Sequence, residues 1–340
     1  MTGLRFARIA YPGPDGVEPR IVVAQPDADR WVDLRAAERL RLERTGASAD
    51  AARRVAGALV PGSLAAALEG GSTFHEAAES AAAEADPDAL VPDGARMLRP
   101  IDPPAYRDFM AFEEHFVNAS RALGREPADV LYEMPVSYFG NPHAIVGPEE
   151  EVPWPHYTRA MDYELELGIV IGRPGRDLTP DNALDHVLGL VNFNDFSARD
   201  IQAVEMGGGL GPSKGKHFGS AVGPWITTLD ALEANDLAMA ARVNGETWSQ
   251  GSTSTLLWSI AELVAWASTG EPLAAGTLLG SGTVGGGCGL ELGRNLQPGD
   301  VVELEIDGLG VLRNRLATPL EDGWRPEPRE RGASTTDGAR

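Results

Sequence analysis

Asp162, Glu164 and Glu166 occupy every second position at the start of the stretch 161–172, and Tyr163, Leu165 and Leu167 lie between them. In extended chain alternate side chains point to opposite faces, so the three carboxylates share one side and the apolar residues the other. Beyond Leu167 the stretch is apolar on both faces, as a strand is when it enters a core. Carboxylates at such an entrance repel one another unless a cation lies between them; the plain alternative is a strand face bathed in water. A second apolar run, 188–193, ends at Asn194-Asp195, and strand ends are where functional side chains often project. Acids with neither grouped histidines nor a cysteine cluster form an oxygen-only set. That set suits Mg²⁺, Mn²⁺ or Ca²⁺, and Mg²⁺ keeps waters and open coordination places for a substrate.

Basic residues add a second signal. Of 29, 27 are arginine; the two lysines, Lys214 and Lys216, lie together in Ser213-Lys214-Gly215-Lys216-His217. A compact ammonium fits beside other charges where a planar guanidinium does not. The net charge of -21 opposes binding to a phosphate backbone, so nucleic acid is not an expected partner. Cys288, the single cysteine, excludes an internal disulfide and a cysteine zinc cluster. Its glycine neighbours supply no base or cation in sequence to activate a thiol.

Two familiar motifs fail on context. Gly211-Pro212-Ser213-Lys214-Gly215 has the spacing of a nucleophile elbow, but a glycine-rich loop precedes it and a β-like segment follows. Gly280-Ser281-Gly282-Thr283-Val284-Gly285 has the dinucleotide spacing, but more glycines stand where the receiving helix is needed.

The surrounding elements read as follows. Short strands are expected over 4–10, 20–24 and 30–34, then alanine-rich helices over 36–95 broken at Pro61-Gly62 and Gly70-Gly71. The proline-rich stretch 100–104 marks a domain boundary, dividing a small domain of residues 1–99 from a catalytic domain of 100–320. Residues 108–123 have a helical pattern. A mainly β region follows, with hairpins at Asn244-Gly245 and at Asp307-Gly308, a helix over 259–268, and a disordered tail over 325–340. No apolar run is long enough to span a membrane. The first eight residues contain no apolar segment with a cleavage site, so a cytosolic protein is the expectation.

The ordered set Tyr163-Glu164-Leu165-Glu166-Leu167, Asn194-Asp195-Phe196-Ser197-Ala198-Arg199-Asp200-Ile201-Gln202, Gly215-Lys216-His217-Phe218-Gly219-Ser220 and Gly223-Pro224-Trp225 resembles the fumarylacetoacetate hydrolase superfamily. Val243-Asn244-Gly245-Glu246, Gly280-Ser281-Gly282-Thr283 and Leu296-Gln297-Pro298-Gly299-Asp300 extend the resemblance over roughly residues 100–318. It implies a mainly β (α+β) chain: a C-terminal mixed β-roll or barrel domain, a small N-terminal SH3-like β domain with helices, and a homodimer. It also implies metal ligands at Glu164, Glu166 and Asp195, and polarising groups at Lys216, Arg199 and Gln202. Upstream, Arg107-Asp108-Phe109-Met110-Ala111-Phe112-Glu113-Glu114-His115 is similar to the fumarylacetoacetase branch, which adds Asp108 to the metal shell and makes His115 the general base. Glu291 then orients His115, and Tyr138, Thr283 and Ser220 take substrate-binding positions. The chain departs from that branch at Met110 and at Phe139, where the branch has tyrosine and histidine. Residue spacing alone puts Asp108 and His115 on one face if their segment is helical.

The activity so implied is metal-dependent hydrolysis of a C–C bond in a 1,3-dicarbonyl acid, acylpyruvate- or fumarylacetoacetate-like, with Mg²⁺ (or Mn²⁺ or Ca²⁺). Decarboxylation, dehydration or keto–enol isomerisation of a 2-oxo acid is the alternative within the superfamily, and a non-enzymatic module holding a structural ion is a third reading. His143 and His156 are loop residues near the expected entrance, His75 and His186 are read as surface or structural groups, and His217 stands next to Lys216.

Overall fold

The computed structural model describes residues 3–13, 16–25, 28, 30–122 and 124–329. Strands β1 (Arg5–Gly13), β2 (Gly16–Ala24) and β3 (Val32–Asp33) open the chain. Four helices follow: α1 (Leu34–Arg44), α2 (Ala49–Leu59), α3 (Leu64–Leu68) and α4 (Ser72–Ala83). Side chains of Asp33, Ser48 and Ser63 accept backbone N–H groups at the starts of the first three, satisfying donors that a helix leaves unpaired. Then come β4 (Arg96–Leu98), β5 (Tyr106–Phe109), α5 (Glu113–Ala122), α6 (Val130–Glu133), β6 (Ser137–Phe139), β7 (Ile145–Val146), β8 (Glu151–Val152) and β9 (Met161–Asp162). The central elements are β10 (Glu164–Ile171), β11 (Gly175–Arg176), α7 (Pro180–Ala183), β12 (Val187–Asn194), β13 (Ser197–Ala198), α8 (Arg199–Glu205) and β14 (Ser220–Thr228). The chain continues through β15 (Ala238–Val243), β16 (Glu246–Ser252), α9 (Ile260–Ser268), β17 (Pro272–Leu273), β18 (Leu278–Cys288), α10 (Gly289–Leu292), β19 (Val301–Ile306) and β20 (Gly310–Leu316).

The main sheet runs β3-β2-β1-β14-β12-β10-β18-β5-β6, and a second sheet runs β16-β15-β19-β20-β8. The alternation of β10 assigns its two faces. Tyr163, Leu165, Leu167, Ile169 and Ile171 pack into one apolar cluster with Met239, Ala241, Val302, Leu304 and Leu312 of the second sheet. On the opposite face Val170 joins Val191, Phe193 and Leu278 in a cluster shared with Phe6, Ile21, Leu64 and Phe74. Glu164 and Glu166 stand on that same face, toward the other end of the strand. The whole strand is buried, so its carboxylates are inside the protein and the solvated-face alternative does not apply.

The molecule is a strand-rich α/β fold, and the hydrogen-bonded path of the main sheet does not close into a barrel among the described residues. Because β1 pairs with β14, the sheet continues across residues 99/100, where the sequence suggests a boundary. The N-terminal strands β1–β3 thus extend one end of the main sheet. Both expected hairpins form, β15–β16 and β19–β20, and α9 occupies the expected helical stretch. The helical pattern of 108–123 needs correction: Asp108 lies in β5, which pairs parallel to β18, and the helix begins at Glu113. Leu123 lies outside the described residues, as do residues 330–340 of the expected tail; 325–329 carry neither helix nor strand.

Ser259 accepts the Glu262 N–H while the Glu262 side chain takes the Ser259 N–H, a capping box that fixes the start of α9. Ser259→Ala is expected to lower the unfolding free energy by about 1 kcal/mol. Chemical denaturation reads this as a lower midpoint at unchanged slope, and an unmoved midpoint would contradict the cap.

Candidate active site

Carboxylate oxygens of Asp108, Glu164, Glu166 and Asp195 lie within 4.8 Å of one another, and all four residues are buried. Two strands and one strand end supply them. Glu164 and Glu166 come from the same face of β10; Asp195 follows β12, which pairs with β10; and Asp108 comes from β5 across β18. The convergence depends on Gly280 of β18, which lies opposite Asp108 in the sheet. A Cβ there would collide with Asp108 Oδ1 and come 3.0 Å from Glu166 Oε2. Gly280 therefore makes room for carboxylates, not for a pyrophosphate, while Gly282 lies against the 109–111 backbone and its N–H donates to Asp108 Oδ1 at 3.2 Å.

Two cations compensate part of this charge. The Lys216 ammonium, buried in the loop before β14, donates to Glu164 Oε2, and to Asp195 Oδ2 at 2.5 Å. Arg199, at the start of α8, reaches Glu164 Oε1 at 2.8 Å and Asp162 Oδ2 at 2.8 Å. Burial pushes the Glu164 carboxyl up, but Lys216 and Arg199 more than offset it and hold it at about 2. Burial likewise favours a neutral Lys216, and the Asp195 and Glu164 charges reverse that and raise its pKa. Asp108 and Glu166 have no such partner. Burial raises both well above the usual carboxylate range, with Asp195 adding to the effect at Asp108 and Asp108 itself, Glu164 and Asp195 adding to it at Glu166. Glu166 Oε2 is buried with no hydrogen-bond partner. Hard anionic oxygens at this spacing, one of them unpartnered, fit a divalent cation.

Hydroxyl groups line the same cluster. Tyr138 OH donates to Asp195 Oδ2, Ser220 Oγ donates to Asp195 Oδ1 at 3.0 Å, and Thr283 Oγ1 donates to Glu166 Oε1 at 3.3 Å. Burial and the Asp195 charge raise the Tyr138 phenol, keeping it a donor. Gln202 touches the site through Arg199, whose Nη1 donates to Gln202 Oε1 at 3.1 Å.

Beside the carboxylates stands an imidazole–carboxylate pair. His115 of α5 bonds through Nδ1 to Glu291 Oε1 of α10 at 2.6 Å. Asn118 Nδ2 and Gly286 N–H both donate to Glu291 Oε2 at 2.9 Å. Burial works to raise the Glu291 carboxyl, but these donors, His115 first, hold it below its ordinary value. With Nδ1 donating to Glu291, Nε2 is the basic nitrogen. Glu164 lies across the sheet from Cys288, three residues before Glu291, so the pair and the cluster share one wall.

Each site residue expected from sequence therefore lies at or next to the cluster. Asp162 belongs to the supporting frame: it accepts N–H groups of Gly289 and Leu290 at 2.7 and 3.0 Å, fixing the start of α10 and so Glu291. Cys288 is buried, its thiol pushed up by that burial, and Sγ donates to Glu291 Oε1 at 3.4 Å. Phe139 pairs with Arg107 while Tyr138 pairs with Asp108; the Phe139 ring lies over the Arg107 guanidinium, on the opposite face from the site. His217 Nε2 donates to Phe139 O at 2.8 Å and its ring stacks with Tyr138. His156 bonds to Trp324 O at 3.1 Å and lines a surface cleft of about 440 Å³ with Tyr157, Asp200 and Asp322. His75 is part-buried, His143 lies exposed in a short turn, and His186 Nδ1 faces the Pro174 carbonyl at 3.1 Å. Asn118 and the Gly286 N–H carried no sequence signal, because their role exists only through contact with Glu291.

A carboxylate cluster suited to a cation, held by lysine and arginine beside a His–Glu pair, defines an enzyme site. Residues 105–317 match the family model described as fumarylacetoacetate (FAA) hydrolase, C-terminal, and the chain belongs to that family. It is 28% identical to a fumarylacetoacetate hydrolase structure from Exiguobacterium antarcticum, with a TM-score of 0.64, covering 92% of this chain and 99% of that one. A 2-hydroxyhepta-2,4-diene-1,7-dioate isomerase structure from Mycobacterium marinum is 25% identical, with a TM-score of 0.62, covering 92% and 98%. An uncharacterised protein of Pyrococcus abyssi is 30% identical over 226 residues, 66% of this chain and 93% of its own length. No helix among the described residues is long and apolar enough to cross a membrane.

The raised carboxyls set a pH dependence. Asp108 and Glu166 titrate higher folded than unfolded, so their contribution to stability is fully present below the ordinary carboxylate range and is lost as pH rises through their raised values. Glu164 acts oppositely, its contribution being lost only as pH falls toward about 2. With a chelator present, the melting temperature is expected to fall as pH rises above the ordinary carboxylate range, and saturating Mg²⁺ or the Asp108→Asn change to flatten that fall. Identical pH curves with and without Mg²⁺ would contradict the placement.

Proposed function

We propose that the protein hydrolyses a C–C bond in a 1,3-dicarbonyl acid of the acylpyruvate or fumarylacetoacetate kind. The observation that carries this reading is the His115–Glu291 pair beside the carboxylate cluster, since hydrolysis needs a base for water and isomerisation or decarboxylation does not. Asp108, Glu164, Glu166 and Asp195 would hold the ion, Mg²⁺ in this reading, with Mn²⁺ or Ca²⁺ suited to the same oxygens. When bound, the ion supplies Lewis-acid charge to the two oxygens of an enolised dicarbonyl. His115 Nε2 takes a proton from water, and Glu291 fixes the tautomer and steadies the imidazolium that results. Hydroxide adds to the acyl carbonyl, the C–C bond breaks to leave the acyl group as a carboxylic acid, and the departing carbon takes the proton back from His115 as the second product leaves, a 2-oxo acid from an acylpyruvate or a 3-oxo acid from a fumarylacetoacetate-like substrate. Lys216 and Arg199, with Gln202 holding the guanidinium, offer positive charge to the developing oxyanion, and Tyr138, Ser220 and Thr283 offer hydroxyls to the substrate's oxygens. A cytosolic homodimer is part of the same reading, as the family resemblance implies.

A second reading, keto–enol isomerisation, is favoured by the isomerase among the similar structures. Product analysis with acetopyruvate and oxaloacetate side by side separates the two. His115→Ala is expected to lower kcat for acetopyruvate cleavage by about 10²–10⁴ while Mg²⁺ affinity, read by calorimetry, stays at the wild-type value. Cleavage undiminished in that variant would remove His115 from the reaction.

A further inference from the structure

We propose that Glu205, outside the carboxylate cluster, is a positioning residue that sets the Lys216 ammonium in place by clamping the turn that carries it. This rests on the reading of Lys216 as a substrate-facing cation.

Lys216 reaches Glu164 and Asp195 from a segment that is neither helix nor strand. Residues 213–217 form one tight turn, in which the N–H groups of Lys216 and His217 donate to Ser213 O at 3.0 and 2.7 Å. The N–H groups of Ser213, Lys214 and Gly215 are left over by that turn. All three donate to the Glu205 carboxylate, at 2.9, 2.8 and 2.9 Å. Burial works to raise that carboxyl, and the three backbone donors more than reverse it, so it stays ionised. Hydrogen bonds to an ionised acceptor are the strong ones.

The connection between clamp and turn makes the clamp necessary. Residues 206–212 include Gly207, Gly208, Gly209 and Gly211, and Leu210 is 99% exposed. Such a link packs against little and has large conformational freedom to lose. Glu205 closes α8, while Arg199 and Gln202 stand earlier on the same helix at three-residue spacing, on one side of it. One short helix thus positions Arg199 directly and Lys216 through Glu205. The turn also lies against this helix: Ala198 N–H donates to Gly215 O at 2.8 Å, and a Cβ on Gly215 would come 2.8 Å from Gln202 Cα. Tyr157 OH donates to Lys214 O at 2.8 Å, holding the outer side.

The lysine content gives a direct test. The chain contains two lysines; Lys214 is exposed and Lys216 is buried. Acetic anhydride labelling followed by mass spectrometry reads each against the other in the full-length protein. In the wild type Lys214 is expected to label and Lys216 to resist. In Glu205→Gln, which keeps the shape but removes the charge, Lys216 labelling is expected to rise about tenfold or more, the change that losing one charge-assisted hydrogen bond gives. The melting temperature should stay near wild type and Glu205→Asp should fall between the two proteins. On a cleaved 2,4-diketo acid the same variant is expected to lower kcat more than it changes KM. Lys216 as resistant in Glu205→Gln as in the wild type would overturn the proposal, whereas a loosened Lys216 with an unchanged kcat would support the clamp and overturn the reading of Lys216 as a substrate-facing cation. If the wild type cleaves no diketo acid, the reaction reading fails, while the labelling still decides the role of Glu205.

Discussion

Mutual repulsion among carboxylates taken out of water is the constraint on which the structure turns. Asp108, Glu164, Glu166 and Asp195 crowd within 4.8 Å, with Asp162 just outside, and among the described residues Lys216 and Arg199 are the cations paired to this group. The compensation is uneven. Glu164 is held ionised by both cations, while Asp108 and Glu166 resist ionisation. Breaking one partner of a buried ion pair typically costs about 3–5 kcal/mol, so Lys216 is a condition for folding this region, whatever its part in the proposed chemistry. The uncompensated half accounts for the fit to a divalent ion.

The fold meets this constraint by using the two faces of one strand for different purposes. The apolar face of β10 is sealed against the second sheet. The other face joins the N-terminal core at Val170 and carries Glu164 and Glu166 near its opposite end, so hydrophobic burial on both sides fixes the backbone that bears the charges. Neighbouring strands then bring in Asp195 and Asp108, and glycine at 280 opens the space between. Asp162 turns its charge to construction, tying α10 to Arg199, and through α10 it sets the carboxylate that orients His115.

Much of this was legible in the chain. Period-two alternation predicts the shared face of Glu164 and Glu166, the isolation of two lysines marks the loop 213–217, within which the family resemblance selects Lys216, and turn dipeptides locate both hairpins. Asp108 was misread as helical because the pattern of 108–123 follows α5, whereas the parallel pairing that makes Tyr106–Phe109 a strand is a tertiary contact with residues about 170 positions away. Among the spaced glycines of 280–285, the meaning of Gly280, room for Asp108 and Glu166, needs the neighbouring strands. Continuation of the sheet across residues 99/100 was equally invisible, since β1 meets β14 only in the folded chain. Glu205 and Asn118 look like ordinary polar residues until the groups they hold are in place.

The account's central claim is that these four acids converge on one hard cation. Anomalous scattering from crystals soaked in Mn²⁺ tests it most directly. The account predicts one strong peak per chain, with oxygens of at least three of Asp108, Glu164, Glu166 and Asp195 in the ion's coordination shell and Lys216 beside it. A Mn²⁺ peak elsewhere on the chain, with these four carboxylates bare at saturating ion, would contradict it.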